Sequence, residues 1–214
     1  PPHSTSSAAS DVYKRQLQGE GGNAGRAAVF CRFSGCNLWS GLEKHRSEAI
    51  CKFCDTDFVG TDGINGGKYK TFKELCDKIE STWNGQESRL VVLTGGEPGL
   101  QVTKELVSEL QNRDFEVAIE TNGTVPIPSN IDWVCVSPKA STKLIVTTGD
   151  ELKLVFPQDG VNPNNFIDLD FTHFFLQPLD DVNLTKNSQM AVEYCMSHSK
   201  WRLSTQTHKV LNIP

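Results

Sequence analysis

Residues 89–120 read RLVVLTGGEPGLQVTKELVSELQNRDFEVAIE and decide the fold class. The stretch begins with an apolar run at 89–93 and ends with a second β-branched run at 116–119. Between them Val102, Leu106 and Leu110 recur at the spacing of one helix face. Because strand, helix and strand follow in this order, the stretch predicts a βα unit with parallel strands.

The same alternation of apolar runs and helical segments extends outward from this unit. Further strands are predicted at 27–33, 133–136, 151–156, 173–176 and 201–204. Most are continuous apolar runs, which is typical of strands buried on both faces of a parallel sheet. A helix is predicted at 71–81, with Thr71 and Glu74 as a capping box. Its apolar stripe is Phe72, Leu75 and Ile79; a late helix at 189–197 carries Met190, Val192 and Tyr194.

Chain length limits how complete this architecture is. Residues 121–130 (TNGTVPIPSN) contain two prolines and no helical period, so one crossover lacks a full helix. A complete eight-fold βα barrel needs about 250 residues, and this chain has 214. We therefore predict an α/β fold, an incomplete TIM-type βα barrel with about six parallel strands and eroded helices.

Composition sets the domain organisation and excludes some classes of partner. We expect a single domain at 17–214, preceded at 1–16 by a Ser- and Ala-rich flexible leader without an obvious strand, part of which could be non-native. The net charge of −5 disfavours nucleic acid as a partner. No apolar run approaches the roughly 18 residues of a membrane span, so we expect no membrane association.

Seven cysteines are the most informative part of the composition. An odd number, with four of them between residues 31 and 54 and no secretory segment, favours a reduced, cytoplasmic protein with a metal or redox site over a disulfide framework. Fourteen residues separate Cys36 from Cys51, and two separate Cys51 from Cys54. With Cys31 the pattern would suit a closed four-thiolate zinc site; without it, three thiolates would hold a [4Fe–4S] cluster with one open iron.

Strand alternation separates these cysteines into two groups. Cys31 lies inside the predicted strand 27–33 and shares a face with Val29 and Phe33, as a small buried hydrophobe would. Cys36 comes after that strand and can turn toward a site. We interpret the remaining cysteines, Cys76, Cys135 and Cys195, as buried thiols on apolar faces.

Polar clusters follow four of the predicted strands. They are residues 94–98 (TGGEP), 120–123 (ETNG), 137–139 (SPK) and 177–180 (QPLD). Each could be an ordinary turn. Because ligands of parallel α/β folds bind at the carboxyl ends of the strands, four clusters in succession predict a site there.

These motifs together resemble the radical S-adenosylmethionine (SAM) enzymes, and most closely the 7-carboxy-7-deazaguanine synthase family. The resemblance spans residues 17–214 and rests on LQGEG at 17–21, CRFSGCNLW at 31–39, CKFCDTD at 51–57, GGEP at 95–98 and TQTHK at 205–209. The superfamily spacing is C-x3-C-x2-C, whereas here it is C-x14-C-x2-C, a long-loop type found within the synthase family.

The resemblance implies a [4Fe–4S] cluster, SAM and Mg²⁺ as cofactors. Cys36, Cys51 and Cys54 would ligate three irons, and Thr56 would bind Mg²⁺. The implied SAM-binding residues are Phe53, Cys54, Asp55, Gly96, Glu97, Glu120, Asn122, Ser137, Pro138, Lys139, Gln177, Pro178, Leu179 and Asp180. The implied substrate-binding residues are Leu17, Gln18, Gly19, Glu20, Arg32, Thr94 and Pro214. No catalytic residue beyond the cofactor and metal ligands is implied.

The implied activity is a carbon–nitrogen lyase reaction. It converts 6-carboxy-5,6,7,8-tetrahydropterin to 7-carboxy-7-deazaguanine with loss of ammonia, a step of 7-deazapurine and queuosine biosynthesis. The family also implies a homodimer and an external electron donor such as flavodoxin. Two alternatives stay open from the residues alone: an activase that makes a glycyl radical on a partner protein, and a non-enzymatic, zinc-stabilised binding module.

Overall fold

The computed structural model describes residues 8–61, 65–85 and 87–213, and for residues 8–14 the backbone only. The strands in this part of the chain are β1 (Ala8–Leu17), β2 (Ala27–Phe33), β3 (Gly66–Tyr69), β4 (Leu90–Gly95), β5 (Glu116–Thr121), β6 (Trp133–Val136), β7 (Thr148–Phe156), β8 (Asp170–Pro178) and β9 (Trp201–Leu203). The α-helices are α1 (Phe72–Trp83), α2 (Lys104–Gln111), α3 (Leu184–Ser197) and α4 (Thr207–Val210), and 3₁₀ helices lie at Gly21–Asn23, Glu43–Glu48, Pro98–Leu100 and Pro163–Phe166.

The first of two compact units comprises the described residues of Pro1–Gln16, Ala27–Glu120 and Ile127–Trp133. Its strands lie in the order β3-β1-β2-β4-β5. β2, β4 and β5 are parallel, and β1 pairs with β3 in the antiparallel sense. Ala28, Phe30, Leu90, Val92 and Ala118 form a buried cluster on one face of this sheet.

The second unit comprises Leu17–Arg26, Thr121–Pro126 and the described residues of Val134–Pro214. Its strands lie in the order β6-β7-β8-β9, and all three pairings are parallel. Its core contains Leu152, Leu154, Phe174, Leu176 and Trp201. The prediction of an α/β fold with a mostly parallel sheet is therefore confirmed, and the strand order of each unit is linear.

Several element boundaries differ from the sequence prediction for reasons of backbone pairing. β7 and β8 extend beyond the predicted strands because their pairing keeps the same register from Thr148 opposite Asp170 to Phe156 opposite Pro178. The sequence predicts no strand in residues 1–16, and this is wrong for β1. Backbone pairing to the glycine-containing β3, which carries no apolar signal, defines that strand.

The helices agree with the prediction in type and differ in detail. The Thr71 hydroxyl caps α1 by accepting from the Glu74 N–H at 3.2 Å, while the Glu74 carboxylate accepts from the N–H of Lys70. In α3 the prediction is wrong for Val192, which is exposed, whereas Ala191 is buried and Tyr194 packs against the core. Residues 122–130 form no helix, as predicted. None of the helices in the described ranges is long and apolar enough to span a bilayer.

Candidate functional site

The end of β4 is fitted against the segment that leads to Cys36. The Gly96 N–H donates to the Phe33 carbonyl at 2.9 Å, and the Glu97 N–H donates to the Gly35 carbonyl at 2.9 Å. A Cβ atom at position 96 would overlap the carbonyl oxygen of Gly35. Glycine at this position is thus required for two backbone segments to meet, which fixes the start of the cysteine loop.

Two side chains complete this connection. Glu97 is fully buried, and its carboxylate accepts from the Gly99 N–H at 2.8 Å, which caps the 3₁₀ helix Pro98–Leu100. The Gln101 amide donates to the Ser34 carbonyl at 2.7 Å. The GGEP segment therefore braces the chain just before Cys36 as well as providing polar groups at a strand end.

The three predicted cluster ligands lie in one loop region of the first unit. Cys36 and Cys54 are half-buried and both pack against a small cluster of Trp39, Ala49 and Phe58, while Cys51 is buried. Leu38 joins the two cysteine segments. Its N–H donates to the Cys36 sulfur at 3.4 Å, and its carbonyl accepts from the N–H groups of Ile50 and Cys51.

Arg46, which the sequence analysis did not single out, holds the second cysteine segment. It lies on the 3₁₀ helix Glu43–Glu48 inside the fourteen-residue interval. Its guanidinium donates to the carbonyls of Lys52 at 2.8 Å and Cys54 at 3.1 Å, and it stacks over the Trp39 ring at 4.1 Å. The pKa of Arg46 is raised, first by the hydrogen bond to Glu43 and further by the nearby thiols of Cys54 and Cys51.

The donor set of this loop suits an iron–sulfur cluster. Within the described residues no three His, Cys, Asp or Glu side chains surround one point as a single metal ion would require. A [4Fe–4S] cluster instead takes its thiolate ligands on separate irons. Cys36, Cys51 and Cys54 are all free thiols, and the first and last share one hydrophobic contact surface. Their chemistry and proximity in the chain fit the group.

The other cysteines behave as sequence alternation predicts. Cys31 and Cys76 are fully buried and Cys135 is nearly so, while Cys195 is half-buried. Burial raises the pKa of the Cys76 thiol to about 12 and also raises the pKa of Cys195. Thiols held protonated in apolar surroundings are poor metal ligands.

The remaining predicted residues of the first unit lie on strand ends and in the cysteine loop. Arg32 and Thr94 are half-buried register partners on β2 and β4, and the Thr94 hydroxyl donates to the Glu120 carboxylate at 3.3 Å. Phe53 and Thr56 are half-buried and Asp55 is exposed. Thr94 and Glu120 are thus brought together at neighbouring strand ends.

In the second unit, residues 18–20 follow β1 as a short polar loop beside a buried ion pair. The Glu20 carboxylate contacts the Lys153 ammonium at 2.6 Å and accepts from the Gln206 amide at 3.0 Å. Burial raises the pKa of Glu20, but the Lys153 charge and hydrogen bonds from Lys153, Gln206 and Gln177 together lower it by more. The net effect is a pKa lowered from 4.5 to about 2. Gln18 is buried and its side-chain oxygen accepts from the Glu20 N–H.

Residues near the carboxyl end of the chain hold the same loop. The Ser204 hydroxyl accepts from the Gly21 N–H at 3.0 Å and lies 3.2 Å from the Gln177 side-chain oxygen. The Thr207 N–H donates to the Gly19 carbonyl at 3.0 Å. A side chain at Gly19 would overlap the His208 ring. Pro214 lies outside the described residues.

The predicted SAM-binding residues of the second unit are tied down by local hydrogen bonds. The Lys139 ammonium folds back onto the carbonyl and hydroxyl of Ser137 at 2.6 and 2.7 Å. The Pro138 carbonyl accepts from Gln158, and the Asn122 amide oxygen accepts from Thr124. Further along, Leu179 donates its N–H to Phe156, Asp180 pairs with Lys209 at 2.5 Å, and Pro178 ends β8.

Sequence reasoning missed the two charged residues of β7. Glu151 and Lys153 are buried and share one face of that strand, which the sequence analysis treats as an apolar run. Glu151 accepts a hydrogen bond from the Gly22 N–H at 2.6 Å. Lys153 forms an ion pair with Glu20. Two opposite charges two residues apart in an otherwise buried strand were the available signal, because such charges need partners.

Two of three comparisons with known proteins found matches, and these two agree. No family model matches the chain. Curated relatives named 7-carboxy-7-deazaguanine synthase include those of Caulobacter vibrioides, 57% identical, and Burkholderia multivorans, 55% identical; each match covers 92% of this chain and 95% of the relative. A solved structure entitled "Crystal structure of QueE from Escherichia coli" matches with a TM-score of 0.69 and 25% identity over 94% of this chain and 95% of that one.

The identities and coverage are high enough to assign the family and to leave the activase and the zinc module unfavoured. The cofactors of this family are a [4Fe–4S] cluster and SAM, with Mg²⁺ in the known enzyme. The chain belongs to the 7-carboxy-7-deazaguanine synthase family, radical SAM lyases of queuosine biosynthesis.

Proposed function

We propose that this chain performs the family reaction with the residues described above in specific roles. The reaction converts 6-carboxy-5,6,7,8-tetrahydropterin to 7-carboxy-7-deazaguanine and ammonia. The observation that most supports this proposal is the contact between the GGEP segment and the cysteine loop, since it joins two motifs that carry the resemblance to radical SAM enzymes.

Cys36, Cys51 and Cys54 hold the cluster in this proposal. Bound together, the cluster and SAM supply the hydrogen-abstracting radical chemistry. The protein keeps the Cys36 and Cys54 thiols on one hydrophobic surface and fixes the loop through Leu38 and Arg46. Positioning and exclusion of water are the contributions expected of the polypeptide in such chemistry.

In this proposal, groups at the strand ends and Phe53 bind SAM. Phe53 is half-buried and lies in the sequence between the proposed ligands Cys51 and Cys54. In this proposal its ring packs on the adenine. Gly96 brings backbone close to the methionine moiety, and Glu97 accepts from its ammonium. Further proposed contacts come from Cys54, Asp55, Glu120, Asn122, Ser137, Pro138, Lys139, Gln177, Pro178, Leu179 and Asp180.

Thr56 is the proposed protein ligand of Mg²⁺. It is half-buried directly after the cysteine motif. Magnesium prefers oxygen ligands and keeps few protein contacts, which a single threonine oxygen satisfies while the substrate carboxylate takes another position.

Substrate recognition is assigned to groups of complementary polarity. Arg32 binds the pterin carboxylate, since guanidinium pairs with carboxylate in a bidentate manner. Gln18 and Glu20 offer amide and carboxylate groups to the donor and acceptor edge of the pterin. Leu17, Gly19, Thr94 and Pro214 are the remaining proposed contacts.

Features beyond the single site also belong to this proposal. We propose an incomplete TIM-type barrel as the finer fold, one functional domain at 17–214, a homodimer, and an external electron donor such as flavodoxin. The seven free cysteines support a reducing compartment, the cytoplasm.

Anaerobic turnover tests the proposal. Reconstituted protein is incubated with the carboxytetrahydropterin, SAM and a reductant, with and without Mg²⁺, and the product is identified by mass spectrometry. We expect the deazapurine and about four irons per chain, the iron content of one such cluster. A chain that binds one zinc and forms no product would contradict the proposal.

A further inference from the structure

Strand β7 carries two buried charged side chains, Glu151 and Lys153, to which the proposed function assigns no role. Glu151 is 3% exposed and Lys153 is 4% exposed, and both point to one face of the strand. Charged side chains are almost never buried to this extent without a partner. Each of them contacts the loop that follows β1: Glu151 accepts from the Gly22 N–H, and Lys153 pairs with Glu20.

The two contacts differ in what they control. Glu151 holds backbone, through the Gly22 N–H at 2.6 Å. Lys153 holds a side chain, because its ammonium lies 2.6 Å from one oxygen of Glu20 while the Gln206 amide donates to the other oxygen at 3.0 Å. Lys153 therefore fixes both the direction and the ionisation state of the Glu20 carboxylate.

Ionisation decides what Glu20 can bind. A buried carboxyl group without a counter-ion takes up a proton and then presents an O–H donor. An ionised carboxylate is acceptor-only and has about four acceptor positions, more than Lys153, Gln206 and Gln177 use. With Lys153 beside it, Glu20 retains capacity to accept from an N–H group of a ligand.

We propose that Lys153 is a positioning residue that keeps Glu20 an ionised, oriented acceptor for the 2-amino group of the pterin substrate, and so sets selectivity for 2-amino ring systems. The inference rests on the proposed contact between Glu20 and the substrate. Without Lys153, a protonated Glu20 would set a donor against the amino group, and the preference for that group would be lost.

Ligand binding without turnover tests this directly. Dissociation constants are measured by calorimetry on the anaerobic holoenzyme with SAM and no reductant, for the substrate and for its 2-deamino analogue. In the wild type we expect the substrate to bind about 10- to 100-fold more tightly than the analogue, the effect of one hydrogen bond to a charged group. K153M should bring this ratio to about one, and K153R should restore much of it.

Glu151→Gln is the matched control. It removes a buried charge from the same face of the same strand and weakens the hold on the same loop, but does not touch Glu20. Under the proposal its substrate-to-analogue ratio stays at the wild-type value even where both dissociation constants rise. An equal loss of selectivity in E151Q would show that Lys153 acts only by holding the loop, which overturns the inference.

Two further variants separate the inference from the proposed function. E20Q should weaken substrate binding; unchanged binding and selectivity in E20Q would refute the proposed Glu20 contact itself. If E20Q is impaired but K153M keeps the wild-type ratio, the Glu20 contact stands and the inference fails. Should K153M not fold, the neutral pair E20Q/K153M avoids an unpaired buried charge and should show no selectivity beyond that of E20Q.

Discussion

At the scale of the residue, Gly96 shows how one missing carbon atom allows two loops to touch. Its role follows from the Gly35 carbonyl, which occupies the space a side chain would need. Gly67 in β3 offers a contrast, because among the described side chains a Cβ there would meet the Tyr69 ring alone, at ordinary contact distances of 3.8 and 3.9 Å.

Gly96→Ala should therefore lower both stability and cluster occupancy. Overpacking a well-packed contact typically costs about 1–3 kcal/mol of unfolding free energy. We also expect reduced iron content after anaerobic reconstitution, because the displaced segment leads directly into Cys36. Urea unfolding and iron analysis measure the two effects. Gly67→Ala should change neither, and similar losses in both variants would contradict this account.

Cysteine variants test the division between ligands and buried thiols. Cys36→Ala should abolish the cluster, because it removes a proposed iron ligand. Cys31→Ala should retain the iron, because Cys31 lies fully buried inside β2 opposite Leu93. Iron and sulfide content after reconstitution distinguishes them. Loss of iron from the Cys31 variant would show that the ligand set is wrong.

At the scale of the element, the 3₁₀ helix Glu43–Glu48 gives the fourteen residues between Cys36 and Cys51 a structural role. The spacing of the cysteines defines this interval but predicts no contact for it. The helix places a guanidinium against the carbonyls of Lys52 and Cys54 and over Trp39. The residues that lengthen this loop therefore also supply Arg46, whose guanidinium binds the backbone of the second cysteine segment.

Arg46→Met should weaken this fastening and change the cluster. Removing the positive charge near Cys51 and Cys54 should shift the cluster reduction potential to more negative values, because local charge helps set that potential. Loss of the two backbone contacts should speed iron release in air. Potentiometric titration and the decay of iron–sulfur absorbance measure these effects. Lys44→Met, an exposed cation on the same 3₁₀ helix, serves as the control and should alter neither.

The pattern of apolar residues predicted the strands that bury side chains on both faces. It did not predict strands that are defined by backbone hydrogen bonding to a neighbouring strand. β2 and β6 match their predicted ranges because they are short buried runs. β1 and β3 were missed because their ladder depends on backbone groups, and β3 contains two glycines. Lys153 was missed for a related reason: its partner, Glu20, lies 133 positions away in the chain.

At the scale of the whole molecule, the Glu20–Lys153 pair links stability to pH. Because the folded-state pKa of Glu20, about 2, lies below its ordinary value of 4.5, the pair stabilises the fold fully above that ordinary value. This contribution is lost as the pH falls from about 4.5 toward 2, where Glu20 becomes protonated in the folded state.

The pH dependence can be isolated with Glu20→Gln. Other carboxyl groups titrate in both proteins, so the difference in unfolding free energy between wild type and E20Q should shrink as the pH is lowered from 5 toward 2 in urea titrations. A difference that stays constant over this range would mean that Glu20 is not held ionised by its partners.

The hydrogen bonds of the loop at residues 18–22 also bear on how the protein is made. Gly21 bonds to Ser204 and Glu20 to Gln206, across 183 and 186 positions of sequence. During synthesis the amino-terminal loop leaves the ribosome long before these partners exist. Contacts of such separation form late, since chain closure must precede them. Glu20 and Gly21 are thus translated early but acquire these contacts late, and a nascent chain stalled before Ser204 should lack both hydrogen bonds.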